Sequence, residues 1–182
     1  MTEDARIDDL LAFWFAEDME EKWFNGGKAF DDEVESRFGA LHDEACAGKL
    51  DGWMQTPRGA LALVILLDQL SRNLHRGTPH AFGQDGKALS LSLAALTEVW
   101  DQKFPERERQ FFYLPLMHSE DPTHQQKCVA LYEAIDNENA LKFAREHQDI
   151  IDRFGRFPHR NAVLGRDSTE AEQEFLKAHK GF

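Results

Sequence analysis

Cysteine is scarce in this chain of 182 residues, which has only Cys46 and Cys128. Neither belongs to a Cys-x-x-Cys pair, and both sit among alanines and leucines in helical patterns. They read as buried, reduced thiols rather than a disulfide framework or a redox pair. Long apolar runs are missing too. The longest, Ala60 to Leu67, falls well short of the roughly 18 residues that a membrane-spanning helix requires, and reads as a core segment. The opening MTEDARIDD is acidic where a secretory signal is basic. Positive charge is in deficit: 21 Lys plus Arg face 33 Asp plus Glu, a formal net charge of -12. That surplus repels nucleic-acid phosphates and anionic membrane surfaces, so neither is an expected partner, and the expected location is cytoplasmic. Also lacking are GxSxG, a glycine-rich phosphate loop ending in GK[ST], a dinucleotide-type GxGxxG and HExxH, so no cofactor is implied. Bounded strand-like runs of Val and Ile do not occur.

What is present is an ordinary globular composition, 42% hydrophobic and 30% charged. A chain of this length buries roughly 70% of its unfolded surface without help from metal or disulfide. One domain over residues 1–182 is therefore expected. Its periodicity is helical. Ile7, Leu10, Leu11, Trp14 and Phe15 line one face of a first helix, and Trp23 and Phe24 run into Asn25-Gly26-Gly27, a turn. Phe30, Val34, Phe38, Leu41 and Ala45 mark a second helix that Gly48 is placed to end. Thr56 before Pro57 starts a third, because the threonine oxygen caps amides and proline gives up an amide that is unpaired there anyway. This segment, RGALALVILLDQLSRN, is apolar almost all round through Leu67 and predicts the most buried helix.

Asp85 is placed to cap a fourth helix carrying Leu89, Leu93, Leu96 and Trp100. Pro105 opens a fifth, which Pro115 kinks or ends near Tyr113. Asp121-Pro122 opens a sixth, and Asn137 to Ile151 forms a seventh with Ala140, Phe143, Ala144, His147 and Ile151 near one face. Gly155 and Pro158 keep FGRFPHRN irregular, and Asp167, Ser168 and Thr169 compete to cap the last helix. The fold class expected is all-α, about eight helices in antiparallel pairs.

Three polar clusters follow apolar helical stretches. In the first, Asp68 and Gln69 precede Arg72, Asn73 and Arg76. Asp68 and Arg72 stand four apart, the spacing of a helix-stabilising ion pair. The alternative is that Asp68 orients Arg72 while Asn73 and Arg76 face a ligand, since a guanidinium grips carboxylate or phosphate through two parallel bonds. In the second, Tyr113 precedes His118, Ser119 and Glu120. His118 and Glu120 are candidates for acid-base work, although a carboxylate here also suits the start of the next helix. His-x-Glu-x3-His, which brings in His124, matches no strong metal-site pattern, and no metal is assigned.

The third cluster sets aromatic rings between Arg153, Arg156, His159, Arg160 and Asn161, with His147 upstream. From Arg153 to Arg166 there is no Asp or Glu at all. Such a segment suits a planar or phosphorylated ligand, or else pairs with the chain's own carboxylates. Neither cysteine has an adjacent histidine in sequence, and Ser71 or Ser119 as nucleophile needs a base that spacing does not supply.

DQLSRNLHRGTPHAF (Asp68 to Phe82), YLPLMHSED (Tyr113 to Asp121) and HQDIIDRFGRFPHRNAVLGRDST (His147 to Thr169), with the early Trp14-Phe15 and FDDEVESRF, resemble the DUF924 family of bacterial and plant proteins. The resemblance spans nearly the whole chain. Leu70 and Ser71 depart from the family's usual Phe and frequent Pro but leave the Asp-Gln-x-x-Arg-Asn frame intact. The resemblance implies a tetratricopeptide-like helical array, with no established activity and no known cofactor. Three readings follow. The chain binds, or acts on, a small anionic molecule in a helix-end cleft lined by these Arg, His and Asn residues; it is a helical scaffold for a peptide or protein partner; or its polar clusters serve the fold alone.

Overall fold

A computed structural model of the chain describes residues 4–135, 137–179 and 181. The fold is an all-helical, tetratricopeptide-like array, and no strand occurs among the described residues. None of the helices is long and apolar enough to cross a membrane, among the residues described. The backbone gathers into two compact units, Met1–Arg76 with His80–Phe112 and Gly77–Pro79 with Tyr113–Phe182.

In the first unit, α1 (Ala5–Trp14) begins where Asp4 accepts the Arg6 amide, and it buries Ile7, Leu10, Leu11, Phe13 and Trp14. Its C-terminal end is capped from a distance: the Arg107 guanidinium donates to the Phe15 and Ala16 carbonyls at 2.6 and 2.8 Å. A cation there meets the negative end of the helix. The expected turn at Asn25 to Gly27 is a joint between two helices, α2 (Glu20–Asn25) and α3 (Gly27–Cys46). Glycine is required at 26, because a Cβ there would lie 2.5 Å from the Phe30 ring. Trp23 donates its indole N–H to the Trp14 carbonyl at 2.8 Å and meets Phe111 edge-on at 4.8 Å, which anchors α2 to the core.

The central helix starts as expected. Thr56 accepts the Gly59 amide at 3.1 Å and Pro57 opens α4 (Pro57–Val64). From Ala60 to Leu67 every side chain is fully buried. One feature was not expected: Ile65–Leu70 widens into a π-helical segment before α5 (Ser71–Leu74). Side chains take up two carbonyls of that wider turn, Ser71 Oγ donating to Leu67 at 2.6 Å and Arg72 Nη1 to Asp68 at 2.8 Å. They offset the poorer ladder of a π segment.

Next comes α6 (Asp85–Thr97), which Asp85 does not cap; Gln84 holds that position without a side-chain bond, and the Asp85 carboxylate turns to Arg72 instead. The unit closes with α7 (Glu106–Arg109) and a 3-10 turn over Gln110–Phe112.

The second unit opens at the break expected near Tyr113. Pro115 lies in the first turn of α8 (Leu114–Met117), where its missing amide costs nothing. Asp121 caps α9 (Pro122–Glu133) at the Thr123 amide, 2.7 Å away. Asn137 is the cap of α10 (Glu138–Phe154) rather than its first residue. Along α10 Ala144, His147, Ile150 and Ile151 are buried, while Phe143, expected on that face, is exposed. The helix stops at Gly155, whose φ of 67° is left-handed. Of the three competing caps, Thr169 holds α11 (Glu170–Ala178) in a reciprocal capping box with Glu172. Ile150, Ile151 and Phe157 form a core with Phe154 and Phe175 packed against it.

Candidate functional site

The first polar cluster belongs to the first unit. Asp68 is fully buried on the π segment and accepts from Gln69 at 2.6 Å and from Arg72 at 3.3 Å. The fork of Arg72 is filled by Asp85, at 2.9 and 3.0 Å, and its guanidinium rests against the Phe82 ring. Burial opposes the charged guanidinium, but Asp68 and Asp85 outweigh it and raise its pKa.

Asn73 and Arg76 both bind Asp31 on α3. Asn73 Nδ2 reaches one oxygen at 2.8 Å, and Arg76 takes both oxygens at 2.8 and 2.9 Å. These three form one side of an open cleft of about 540 Å³ whose other walls include Phe24, Lys28, Asp32 and Glu35. Asp31 was not singled out from sequence, and Asp85 only as a helix cap. They lie 45 residues before and 13 residues after their arginines, and nothing local marks them as partners.

Cys46 has no histidine beside it in sequence, but one lies close in space. His42, one turn earlier on α3, donates Nε2–H to Ser71 Oγ at 2.9 Å, since the Ser71 hydroxyl is engaged with Leu67. Cys46 Sγ lies 3.5 and 3.7 Å from the two ring nitrogens. Near-equal distances place the sulfur over the ring face, away from the in-plane lone pair, so the imidazole does not act as its base. Burial pushes the Cys46 thiol pKa up and pulls that of His42 down. His75 and His80 continue from His42, with ring centroids 5.5 and 5.7 Å apart in turn. Among the described residues no group of three or more His, Cys, Asp or Glu is placed to hold a metal ion.

The second and third clusters belong to the second unit, where they interlock. Glu120 accepts the Phe157 amide at 2.8 Å and both ends of the Arg166 fork at 2.7 and 3.0 Å. Burial pushes the Glu120 carboxyl up, but Arg166 and the Phe157 amide outweigh it, and its pKa is lowered. Arg166 also donates to Asn161 Oδ1 at 2.9 Å, and Asn161 donates to Ser168 at 3.0 Å. Glu120, Asn161 and Arg166 thus clamp the loop after α10. Arg156 is bidentate to Glu172 at 2.7 and 2.8 Å and holds that carboxyl down to about 2. Arg153 lies over the Phe154 and Phe175 rings. Tyr113 is buried edge-on against Tyr132, and the Cys128 thiol donates to its carbonyl; burial pushes that thiol up to about 12. Ser119 Oγ sits 2.9 Å from His124 Nδ1 and accepts the Asp121 amide, a local junction at the start of α9.

The remaining site residues surround Phe157. Arg160 is buried with its guanidinium 4.5 Å from the ring centroid, and His147 and His159 lie against the same ring at 5.5 and 5.6 Å. His118 reaches His147 at 6.5 Å. His147 donates Nδ1–H to the Phe143 carbonyl at 2.8 Å, which fixes its tautomer. Burial, together with the neighbouring charge of His118, Arg160 and His159, depresses it to about 3. Burial and then Arg160 bring His159 down to about 4. At neutral pH both rings are neutral, each with one donor and one acceptor beside a permanent cation.

The profile of the DUF924 family, described as a bacterial protein of unknown function, matches residues 10–180. Among solved structures, the chain is similar to a protein of unknown function from Agrobacterium tumefaciens, with a TM-score of 0.91 and 40% identity over 96% of this chain and 98% of that one. No curated protein matches the chain.

Proposed function

We propose, for a chain that belongs to the DUF924 family, that the second unit binds a small anionic molecule at the cluster around Phe157. The observation that supports this reading is the gathering of Arg160, His147 and His159 on one ring, with His118 alongside. The carboxylate that shares the cluster, Glu120, accepts from Arg166 and the Phe157 amide and also feels the Arg160 charge. Arg160 supplies the lasting charge, suited to a carboxylate or phosphate. His118 and His159, both half-buried, are the groups positioned to exchange a proton with a bound molecule. Glu120, Asn161 and Arg166 keep the loop in place. The ligand is small rather than a nucleic acid, given the net charge of -12, and a cytoplasmic setting suits the free thiols.

Thermal unfolding against a panel of phosphorylated metabolites, carboxylates and nucleotides tests this reading, because a ligand of the native state raises its stability by mass action. A saturable shift from one anionic class is expected in the wild type and absent in Arg160→Gln and His159→Gln. Binding should also raise the His147 and His159 pKa values, since an anion favours the protonated rings. No saturable shift from any anion, or an unchanged shift in both variants, would defeat the proposal.

For four other arginines a different observation favours the structural reading. Arg72, Arg76, Arg156 and Arg166 each direct their forks to carboxylates of the chain itself. These positions serve the fold, and the ligand reading does not rest on them.

A further inference from the structure

The cleft of about 540 Å³ in the first unit has no part in the anion reading, and its chemistry is the opposite. Phe24 stands on its rim with 59% of its surface exposed, the most of any large apolar side chain described. Its exposure follows from α2. Trp23, the preceding residue, is held by the Trp14 carbonyl and by Phe111, which leaves Phe24 directed outward and edge-on to the Trp23 ring at 6.3 Å. The floor is preformed, because Asp31 is locked by Asn73 and Arg76. Asp32 and Glu35, both exposed, follow along α3 at the mouth.

The surroundings are net acidic, although Lys28 and Arg76 line the cleft itself. From Glu17 to Arg37 there are eight acidic residues against Arg37 and two lysines, Lys22 and Lys28. Both lysines already face carboxylates, Lys22 that of Asp18 and Lys28 that of Asp32. An exposed aromatic beside a preformed cleft in a net negative field selects a partner that is basic and carries an apolar anchor. The volume suits a few side chains rather than a folded domain. From this charge complementarity we infer that the cleft docks a basic peptide segment, one apolar side chain against Phe24 and its Lys or Arg side chains toward Glu35 and toward Asp32, where they take the place of the exposed Lys28. The Asp31 carboxylate, saturated by Asn73 and Arg76, holds the wall still while the partner enters.

The test uses the full chain and a fluorescein-labelled hexapeptide, Arg-Leu-Arg-Leu-Lys-Arg, with a counterpart in which every basic residue is Glu. Fluorescence anisotropy should rise saturably with the basic peptide and not with the acidic one. Phe24→Ser and Glu35→Lys, both at exposed positions, should each weaken binding at least tenfold while circular dichroism stays unchanged. Asp149→Lys, an equal change of charge at an exposed position on α10, should weaken it less than twofold. No saturable rise, or equal losses in Glu35→Lys and Asp149→Lys, would overturn the inference, the latter by reducing it to bulk charge. Full displacement by spermine at the peptide's own concentration would also overturn it, by making a small polycation the occupant. None of these outcomes depends on the anion cluster in the second unit.

Discussion

Arg72 in the first unit and Arg160 in the second come from segments that look alike on paper, each an arginine-rich stretch just after an apolar helix. Their surroundings differ in kind. Arg72 lies among carboxylates, with Asp68 fully buried beside it and Asp85 filling its fork. Arg160 lies against an aromatic ring with imidazoles around it. An arginine enclosed by carboxylates holds elements together; Arg160, packed on a ring among imidazoles with its charge also acting on Glu120, is the one on which the anion proposal draws. Residue type alone does not separate these roles; the partners do.

The strongest way to break this comparison is Arg72→Met. It leaves the Asp68 carboxylate buried without its cation, and the expected loss is about 3–5 kcal/mol, read by urea unfolding. A loss below about 1 kcal/mol would mean that the pair is not structural.

Acid comes next. His147 has a folded pKa of about 3, below the ordinary value of 6.5, so between these values the unfolded chain binds the extra proton. Its contribution is complete above about pH 6.5 and falls by about 1.4 kcal/mol per pH unit as pH drops toward 3. His147→Gln should flatten that part of the stability profile, measured by unfolding at successive pH values.

Arg160→Met follows, removing both the contact with the Phe157 ring and a charge that acts on Glu120. Its effect should show on its neighbours: NMR titration should show the His147 and His159 pKa values rising once the guanidinium is gone. Unchanged pKa values would remove the field on which the anion proposal stands. Smallest of all, Arg76→Gln at an exposed guanidinium should change unfolding stability by less than about 1 kcal/mol, since surface pairs contribute little.

Much of the helical framework was legible because its signals are local. Thr56-Pro57, Asp121-Pro122, Asn137, Gly155 and Thr169 act on amides and carbonyls within a few residues, and all mark helix ends in the structure. Asp85 shows the limit of that logic. It has a good capping side chain in a suitable place, yet a buried guanidinium 13 residues away takes its carboxylate instead. The π segment at Ile65–Leu70 was invisible for a related reason, as its looser turn is settled by Ser71 and Arg72 reaching back to its carbonyls. The nearness of His42 to Cys46 needed only the i, i+4 rule, but the apolar stripe that marks this helix does not include His42.

For the polar clusters, sequence supplied the residues but not their partners. The match of Glu120 to Arg166 spans 46 residues, and that of Arg76 to Asp31 spans 45. Helix positions, caps and the buried central segment were determined by the sequence itself, since backbone bonding and apolar periodicity act over one or two turns. Tertiary structure decided which arginines are closed by carboxylates, which histidines lose their protons to burial, and where an aromatic ring is left facing solvent. Those outcomes depend on distances between elements far apart in the chain, and both Coulomb interaction and desolvation answer to distance in space.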